Sequence, residues 1–215
     1  MEDAKPESAL IIAGGEQVGS GLLTRLDVPV WVVAADSGLD QAYELGIAPD
    51  LVVGDMDSVT AAALERASAA GVVIERHPID KDATDLELAI AAAARAGFSR
   101  ATIIGGTGGR MAHTLANAMI LLGDHPVALE WLTGQAVIVP LRAGDHRVFQ
   151  KSDGAVLSVI AVGGTAFCTA TGLRWPLDGI ALQAGSTRGV SNEIVAEEAQ
   201  VAVAGGHVLT IQERN

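Results

Sequence analysis

Short apolar runs alternate with stretches of helical periodicity over roughly the first 130 residues. Six runs are candidate strands, at residues 9–13, 30–35, 51–54, 72–75, 102–105 and 127–132. Five segments between them have helical spacing, at residues 17–26, 39–45, 60–70, 83–96 and 111–122. Continuous apolar strands separated by helices are typical of a parallel sheet that is covered on both faces. The pattern therefore predicts an α/β parallel-sheet domain over residues 1–134.

The pattern changes after Gly134. Short β-type runs follow at residues 136–139, 147–149, 155–161, 166–169, 201–203 and 208–211. Pairs such as GD, DG, GG and TG separate these runs at the spacing of turns, and no segment between them has good helical periodicity. This half predicts a second, small all-β domain, a sandwich or barrel, over residues 135–215.

Composition narrows the classes of partner and compartment. The net charge of −12 argues against nucleic acid or an anionic membrane as the partner. Cys168 is the only cysteine, which favours a reducing compartment. The acidic N-terminus lacks the charge pattern of a signal peptide, and no apolar run approaches the length of a membrane span. We therefore expect a cytoplasmic protein.

Five aspartates lie near the ends of successive apolar runs: Asp36, Asp55, Asp57, Asp82 and Asp85. Ligands of open α/β sheets bind beyond the carboxyl ends of the strands, so one edge of the sheet would gather these side chains. Carboxylates that converge repel one another unless a cation joins them. Magnesium with a polyphosphate is the usual arrangement that makes such a cluster favourable. The sequence therefore predicts a site for Mg²⁺ and a phosphorylated substrate.

Helix capping is a structural alternative for part of the cluster. Asp55 and Asp57 would point to the same side of an extended segment and reach one cation. Asp57 or Ser58 would equally serve as N-cap of the helix that begins near Thr60. Both roles are compatible, because an N-cap leaves the neighbouring aspartate free.

The same alternative applies to the second pair. Asp82 as N-cap and Asp85 in the first turn would stabilise the following helix by about 1 kcal/mol. Capping does not account for Lys81, which precedes the pair directly, nor for the first pair one helix earlier. The motifs together favour a binding site.

A glycine-rich segment, GGTGGR at residues 105–110, follows a strand and precedes a helix. Glycines let the backbone approach a ligand closely, and the amides at a helix N-terminus bind anions. The segment matches neither a P-loop nor a dinucleotide fingerprint, so a tight turn remains the alternative. Arg110 at its end would contact a phosphate. His113 and Asn117 share a helix face, and on spacing alone they are expected to pack or to form hydrogen bonds.

The chain resembles the thiamine pyrophosphokinases. The motifs that carry the resemblance follow one another in the family's order: ADSG, PDLVVGDMDS, KDATDLELA, GGTGGRMAHTLAN, TGLRWPL and VSNE. The resemblance implies an α/β nucleotide-binding domain followed by a β-sandwich that binds thiamine. It also implies a homodimer with the active site at the subunit interface. The implied reaction moves the β,γ-diphosphate of ATP to the hydroxyl of thiamine with Mg²⁺ and releases AMP.

The resemblance also assigns roles to individual residues. The metal and phosphate carboxylates would be Asp36, Asp55, Asp57 and Asp85, with Asp82 nearby. Phosphate charge would be neutralised by Lys81 and Arg110. The other nucleotide-site residues would be Gly109, His113 and Asn117. The thiamine end would be formed by Trp175, Ser191 and Asn192, although a core position beside Pro176 is the alternative for Trp175.

Two positions depart from the family's pattern. Ala112 stands where the glycine-rich motif usually carries aspartate, and Ser37 stands where a second glycine is common. The change at Ala112 permits another hydroxymethyl heterocycle, such as a pterin, as diphosphate acceptor. A non-catalytic thiamine or nucleotide binder is a further alternative. A nucleotide-sugar site built on the DMD sequence is disfavoured by the second carboxylate pair and by the all-β half.

Overall fold

Six parallel strands form the sheet of the first of two units, Met1–Gly134, in the computed structural model. The structure describes residues 8–26 and 31–214. The strands are β1 (Ser8–Ala13), β2 (Trp31–Ala35), β3 (Leu51–Gly54), β4 (Val73–Arg76), β5 (Arg100–Ile104) and β6 (Ala128–Leu132). The helices between them are α1 (Gly38–Glu44), α2 (Ala61–Ala69), α3 (Asp85–Arg95) and α4 (Met111–Ile120). Residues 1–7 of the predicted first domain and residue 30 of the second predicted strand lie outside the described residues.

The strand order places the chain reversal beside β1. The order is β6-β5-β1-β2-β3-β4, with every neighbouring pair parallel. The chain builds outward from β1 to β4 on one side and then returns to add β5 and β6 on the other. Ligands of open α/β sheets bind at such a switch point, beyond the carboxyl ends of the strands. The segments that follow β1 and β5 therefore flank the expected binding crevice.

Small side chains bring the helices close to this sheet. Ala89 and Ala93 of α3 are fully buried, and α3 packs on β1 and β2. The strands supply the branched aliphatic residues of the core, such as the fully buried Ile11 and Val33. Close packing of alanine faces on aliphatic strands compensates for the scarcity of aromatic residues.

The predicted α-helix at residues 17–26 is wrong. One short 3₁₀ helix, Ser20–Arg25, occupies part of that segment. Gly19 and Gly21 interrupt the segment, and each glycine costs about 1 kcal/mol inside an α-helix. The apolar spacing of the leucines is met by this short 3₁₀ helix instead.

The predicted N-caps of two helices are also wrong. Thr60 caps α2 in place of Asp57 or Ser58, and Thr84 caps α3 in place of Asp82. In each helix the threonine hydroxyl accepts a hydrogen bond from the backbone amide three residues later. The aspartates before both helices are thus released from the capping role.

The second unit, Gln135–Asn215, consists of two antiparallel sheets. Its strands are β7 (Ala136–Arg142), β8 (His146–Gln150), β9 (Val156–Ala161), β10 (Thr165–Thr171), β11 (Ile180–Gln183), β12 (Asn192–Glu193), β13 (Glu198–Gly205) and β14 (His207–Glu213). One sheet has the order β12-β9-β14-β7 and the other β11-β10-β13-β8. Buried side chains of both sheets share one core. The two-domain fold expected from the sequence is confirmed, although β11 and β12 were not predicted.

Membrane-crossing helices were not expected from the sequence. Among the described residues, every helix is too short or too polar to traverse a bilayer.

Candidate active site

A cavity of about 410 Å³ lies in the first unit at the carboxyl ends of β1, β2, β3 and β5. Its volume is within the range of small-molecule sites. One part of the lining is acidic and comes from Asp36, Asp55, Asp57 and Asp85. Another part of the lining is backbone of two glycine-rich loops. The first glycine loop (residues 14–17) contributes Gly14 and Gly15, and the second glycine loop (residues 105–110) contributes residues 106–110. The cavity therefore combines carboxylates with backbone amides at the switch point of the sheet.

Asp36 is the most buried of the acidic residues. It follows β2 directly, has a backbone φ of +46°, and is 7% exposed. Its Oδ1 atom has no hydrogen-bond partner among the described residues. Burial raises the pKa of Asp36, and the charges of Asp85, Asp55 and Asp57 raise it further against a lowering hydrogen bond from the Ser37 amide. A buried carboxylate with one oxygen unpartnered is unfavourable unless something else compensates its charge.

Asp55 and Asp57 follow β3 in a tight turn. Met56 between them has a φ of +67°, so the extended segment assumed from the sequence is wrong. The turn lets the Asp57 amide donate to Asp55 Oδ1 at 3.2 Å, and the Ser58 hydroxyl donates to Asp57 Oδ1 at 2.7 Å. Carboxylate oxygens of Asp36, Asp55 and Asp57 lie within 4.8 Å of one another. The carboxylates therefore converge because of a turn at Met56, and not because the segment is extended.

Lys81 joins two of the cavity carboxylates. Its Nζ lies 2.5 Å from Asp55 Oδ2 and 3.0 Å from Asp85 Oδ1. The hydrogen bond from Lys81 lowers the pKa of Asp55, with the Asp57 amide adding to the effect. Burial alone would lower the pKa of Lys81, but the two carboxylates outweigh it and the pKa is raised. Lys81 is thus held as a cation that keeps Asp55 ionised.

The second glycine loop has the backbone conformation that glycine makes accessible. Gly105, Gly106, Gly108 and Gly109 all have φ between +64° and +76°. The backbone amides of Thr107, Gly108 and Gly109 have no hydrogen-bond acceptor among the described residues. The loop leads through Arg110, an exposed residue of the cavity lining, into the N-terminus of α4. Amides and a helix N-terminus together favour an anion.

His113 and Asn117 of α4 both line the cavity. Asn117 is buried, and its Nδ2 donates to the carbonyl of Gly106 at 2.9 Å. His113 is exposed. The hydrogen-bonding role expected for Asn117 is thus met by the second glycine loop.

Asp82 lies apart from the other aspartates. Its side chain is exposed and does not contribute to the cavity lining. Four polar residues that were not predicted do contribute: Ser37, Ser58, Thr84 and Thr107. These four residues lie within the motifs ADSG, DMDS, KDATD and GGTGG. Their place in those motifs is the sequence feature that could have identified them as cavity residues.

Trp175, Ser191 and Asn192 belong to the second unit. Trp175 is 56% exposed, so its alternative as a core residue is wrong. Asn192 is buried, and its side-chain amide bonds both backbone groups of Trp175, at 3.1 Å to the nitrogen and 2.6 Å to the oxygen. Ser191, with a φ of +55°, donates its amide to the Ser158 hydroxyl. Asn192 therefore fixes the backbone from which an exposed indole projects.

The acidic group, which consists of Asp36, Asp55 and Asp57, fits a magnesium ion. Mg²⁺ binds hard oxygen ligands and is commonly held by one or two carboxylates together with substrate phosphates. Asp36, Asp55 and Asp57 supply converging oxygens, and Asp36 retains an oxygen without a partner among the described residues. The arrangement can hold a divalent cation on one side and anionic groups against the glycine loops on the other.

Two family models match the chain. "Thiamin pyrophosphokinase, catalytic domain" matches residues 26–128, and "Thiamin pyrophosphokinase, vitamin B1 binding domain" matches residues 145–208. The first match contains the whole acidic group, and the second contains the exposed tryptophan and the asparagine that supports it.

Individual thiamine pyrophosphokinases are similar to this chain over most of its length. Thiamine pyrophosphokinase of Bacillus subtilis is 27% identical over 206 residues, which are 94% of this chain and 96% of the relative. Thiamine pyrophosphokinase 1 of rice is 28% identical over 177 residues, 78% of this chain and 67% of the relative. The crystal structure of the Bacillus subtilis protein superposes with a TM-score of 0.85 at 26% identity, covering 97% of this chain and 99% of that one.

Proposed function

Because the chain belongs to the thiamine pyrophosphokinase family, we propose that it transfers the diphosphate group of ATP to the hydroxyl of thiamine, giving thiamine diphosphate and AMP. The observation that carries the proposal is the convergence of Asp36, Asp55 and Asp57 in a cavity that two glycine loops also line. Carboxylates that share a cation, facing amides that accept an anion, suit a metal–nucleotide substrate.

Mg²⁺ is the proposed metal, held by Asp36, Asp55 and Asp57, with Asp85 as a further carboxylate of the site. When bound, it would neutralise charge on the phosphoryl oxygens. The residues of the chain orient the phosphates: the amides of the second glycine loop and Arg110 bind their oxygens, and His113 and Asn117 line the same space. Lys81 acts indirectly, because its ammonium group is already paired with Asp55 and Asp85.

Phosphoryl-type transfer depends chiefly on positioning and electrostatic stabilisation. The chain's cationic and amide groups would stabilise negative charge as the hydroxyl of thiamine attacks the β-phosphorus and AMP departs. One of the cavity carboxylates would accept the proton of that hydroxyl.

The second unit is proposed to bind thiamine. The exposed ring of Trp175 offers a face for stacking, and Asn192 and Ser191 hold the adjoining backbone. We further propose that the protein works as a homodimer with each active site at the subunit interface. Pterin transfer, non-catalytic binding and nucleotide-sugar binding are not favoured, since the matches to both halves are thiamine pyrophosphokinases.

Release of AMP tests the proposal. The protein is incubated with ATP and Mg²⁺, with thiamine, with a hydroxymethyl pterin, or with no acceptor, and AMP and thiamine diphosphate are quantified. We expect AMP only with thiamine. AMP release with the pterin but not with thiamine would show that the acceptor is the pterin and would refute thiamine as the substrate. No AMP under any condition would refute the proposed reaction.

Asp57→Ala is the matched variant of this experiment. Because it removes a carboxylate that lies on the surface and caps no helix, turnover should fall by roughly 100-fold or more while the thermal transition changes little. Asp82→Ala is the control, since Asp82 is exposed and outside the cavity lining. Equal turnover of Asp57→Ala and the wild type would remove Asp57 from the proposed site.

A further inference from the structure

We propose that Gln41 and Trp131, which do not line the cavity, are positioning residues that hold the two glycine loops in the shape that binds polyphosphate. The inference rests on the proposed function of the site. It concerns residues outside all the motifs of the sequence analysis and is carried by a set of buried hydrogen bonds to the loop backbone.

Gln41 closes the first glycine loop at its base. The residue lies in α1 and is 6% exposed. Its Nε2 donates to the carbonyl of Ala13 at 2.7 Å, and its Oε1 accepts from the amide of Val18 at 2.6 Å. Ala13 and Val18 flank the loop on either side. One side-chain amide therefore ties together both ends of the loop that carries Gly14 and Gly15 into the cavity lining.

The two glycine loops are also bonded to each other. The amide of Gly106 donates to the carbonyl of Gly14 at 2.8 Å, and the amide of Glu16 donates to the carbonyl of Thr107 at 2.6 Å. Gln41 packs against this junction, because a Cβ atom added to Gly105 would lie 2.7 Å from Gln41 Nε2. A shift of the first loop would consequently be transmitted to the second.

Trp131 fixes the second loop from β6, the parallel neighbour of the strand β5 that leads into the loop. It is 2% exposed in β6, and its indole Nε1 donates to the carbonyl of Gly105 at 2.7 Å. The C=O and N–H groups of one peptide unit point in opposite directions. Binding the Gly105 carbonyl therefore sets the direction of the Gly106 amide, which meets Gly14. Asn117 binds the next carbonyl in the same way and so orients the amide of Thr107, which has no acceptor among the described residues.

These bonds matter for binding because glycines have little conformational preference of their own. A loop of positive-φ glycines would sample many shapes if its carbonyls were released. Ordering such a loop on binding costs free energy that a preorganised loop does not expend. Removal of the Gln41 or Trp131 hydrogen bonds should therefore weaken nucleotide binding without removing any group that contacts the nucleotide.

Gln41→Met tests the inference, because methionine keeps the approximate volume and loses both hydrogen bonds. Gln212→Met is the matched control: Gln212 is 4% exposed, and its Nε2 likewise donates to two backbone carbonyls, of Gln150 and Gly154, in the second unit. Two quantities are measured on the full chain: hydrogen exchange without ligand at the amides of Gly106 and Glu16, which bond the two loops to each other, and the dissociation constant of Mg·ATP by calorimetry.

We expect Gln41→Met to accelerate exchange at these two amides and to raise the dissociation constant about tenfold, the factor that the net loss of one or two hydrogen bonds supports. Gln212→Met should lower the thermal transition but leave both quantities at the wild-type values. Trp131→Phe, which replaces the indole by a smaller aromatic ring and loses the donor, should act like Gln41→Met and decides the matter if Gln41→Met does not fold.

Unchanged loop exchange and affinity in Gln41→Met or Trp131→Phe, or equal changes in Gln212→Met, would overturn the inference. Failure of the proposed function has a different signature. Wild-type protein that binds Mg·ATP but releases no thiamine-dependent AMP would refute the proposed reaction and leave the positioning roles standing. Wild-type protein that does not bind Mg·ATP would refute both.

Discussion

At the scale of single residues, Asp36 shows how binding chemistry opposes stability. Its carboxylate is buried beside three other aspartates, and one oxygen lacks a partner among the described residues. Burial and like charges both disfavour the ionised form, which is the form that a metal ligand requires. A position that served only the fold would carry a neutral or apolar side chain here. The unfavourable environment is what a bound cation would compensate.

Asp36→Asn should therefore stabilise the metal-free protein and remove its response to magnesium. Asparagine keeps the shape, tolerates the positive φ, and takes a charge out of the cluster. We expect the free energy of unfolding to rise by roughly 1 kcal/mol without metal, within the usual range for relieving a strained site. Denaturant titrations with and without Mg²⁺ measure both effects, with Asp82→Asn as the exposed control. A destabilised variant that still gains stability from Mg²⁺ would contradict this account.

At the scale of elements, the end of β3 determines whether the carboxylates can meet. Gly54 is the last residue of this strand and has a φ of +148°. A Cβ atom there would lie 2.9 Å from Asp85 Oδ1 and 3.1 Å from Asp36 Cβ. The glycine thus admits side chains from α3 and from the end of β2 to the same small volume. The lack of a side chain at Gly54, the end of β3, therefore allows Asp36 and Asp85 to approach each other.

Gly54→Ala should accordingly damage binding as well as stability. The added methyl meets both carboxylate side chains, so we expect a loss of about 2 kcal/mol in unfolding free energy together with a strong loss of Mg²⁺-dependent AMP release. Gly46→Ala is the matched control, because Gly46 also has a positive φ but an added Cβ would meet nothing within 4 Å. It should lose about 1 kcal/mol and keep full activity. Equal activity losses in the two variants would show that strain alone is responsible.

The elements also mark the limit of what the sequence predicts. Apolar runs and helical spacing identify most strands and helices, because burial on a covered sheet demands them. The spacing of residues 17–26 misleads, since leucines in a 3₁₀ turn satisfy the same pattern and the two glycines oppose an α-helix. The two-residue strand Asn192–Glu193 is too short to leave a period-2 signal. Gln41 and Trp131 lie outside every motif, because their partners are backbone atoms of distant segments.

At the scale of the whole molecule, the fold creates a local site that can attract phosphate although the net charge of the chain repels it. A net charge of −12 repels phosphate at a distance. The strand order, which no local pattern encodes, brings two glycine loops and the acidic group to one cavity, where amides and a cation can attract phosphate locally. The five aspartates were identifiable from sequence as a group, but the separation of Asp82 from the others depends on the three-dimensional path of the chain.

If each active site of the proposed homodimer draws its nucleotide-binding part and its thiamine-binding part from different copies, two inactive variants should complement each other. Asp57→Ala damages the first unit and Trp175→Ala the second. Random pairing places one of each in about half of the dimers, and each mixed dimer keeps one undamaged site of its two. Co-expressed variants should therefore recover about a quarter of the wild-type activity, measured as thiamine-dependent AMP release at equal total protein.

The pair Asp57→Ala with Asp55→Ala separates this effect from general stabilisation. Both changes lie in the first unit, so every mixed dimer has two damaged sites and no recovery is expected. Sites contained within single copies predict a different result, because each chain would then carry its own lesion in its own site. Co-expression of Asp57→Ala with Trp175→Ala would in that case give only the mean of the two residual activities. Recovery confined to the cross-unit pair thus decides which copies complete the site.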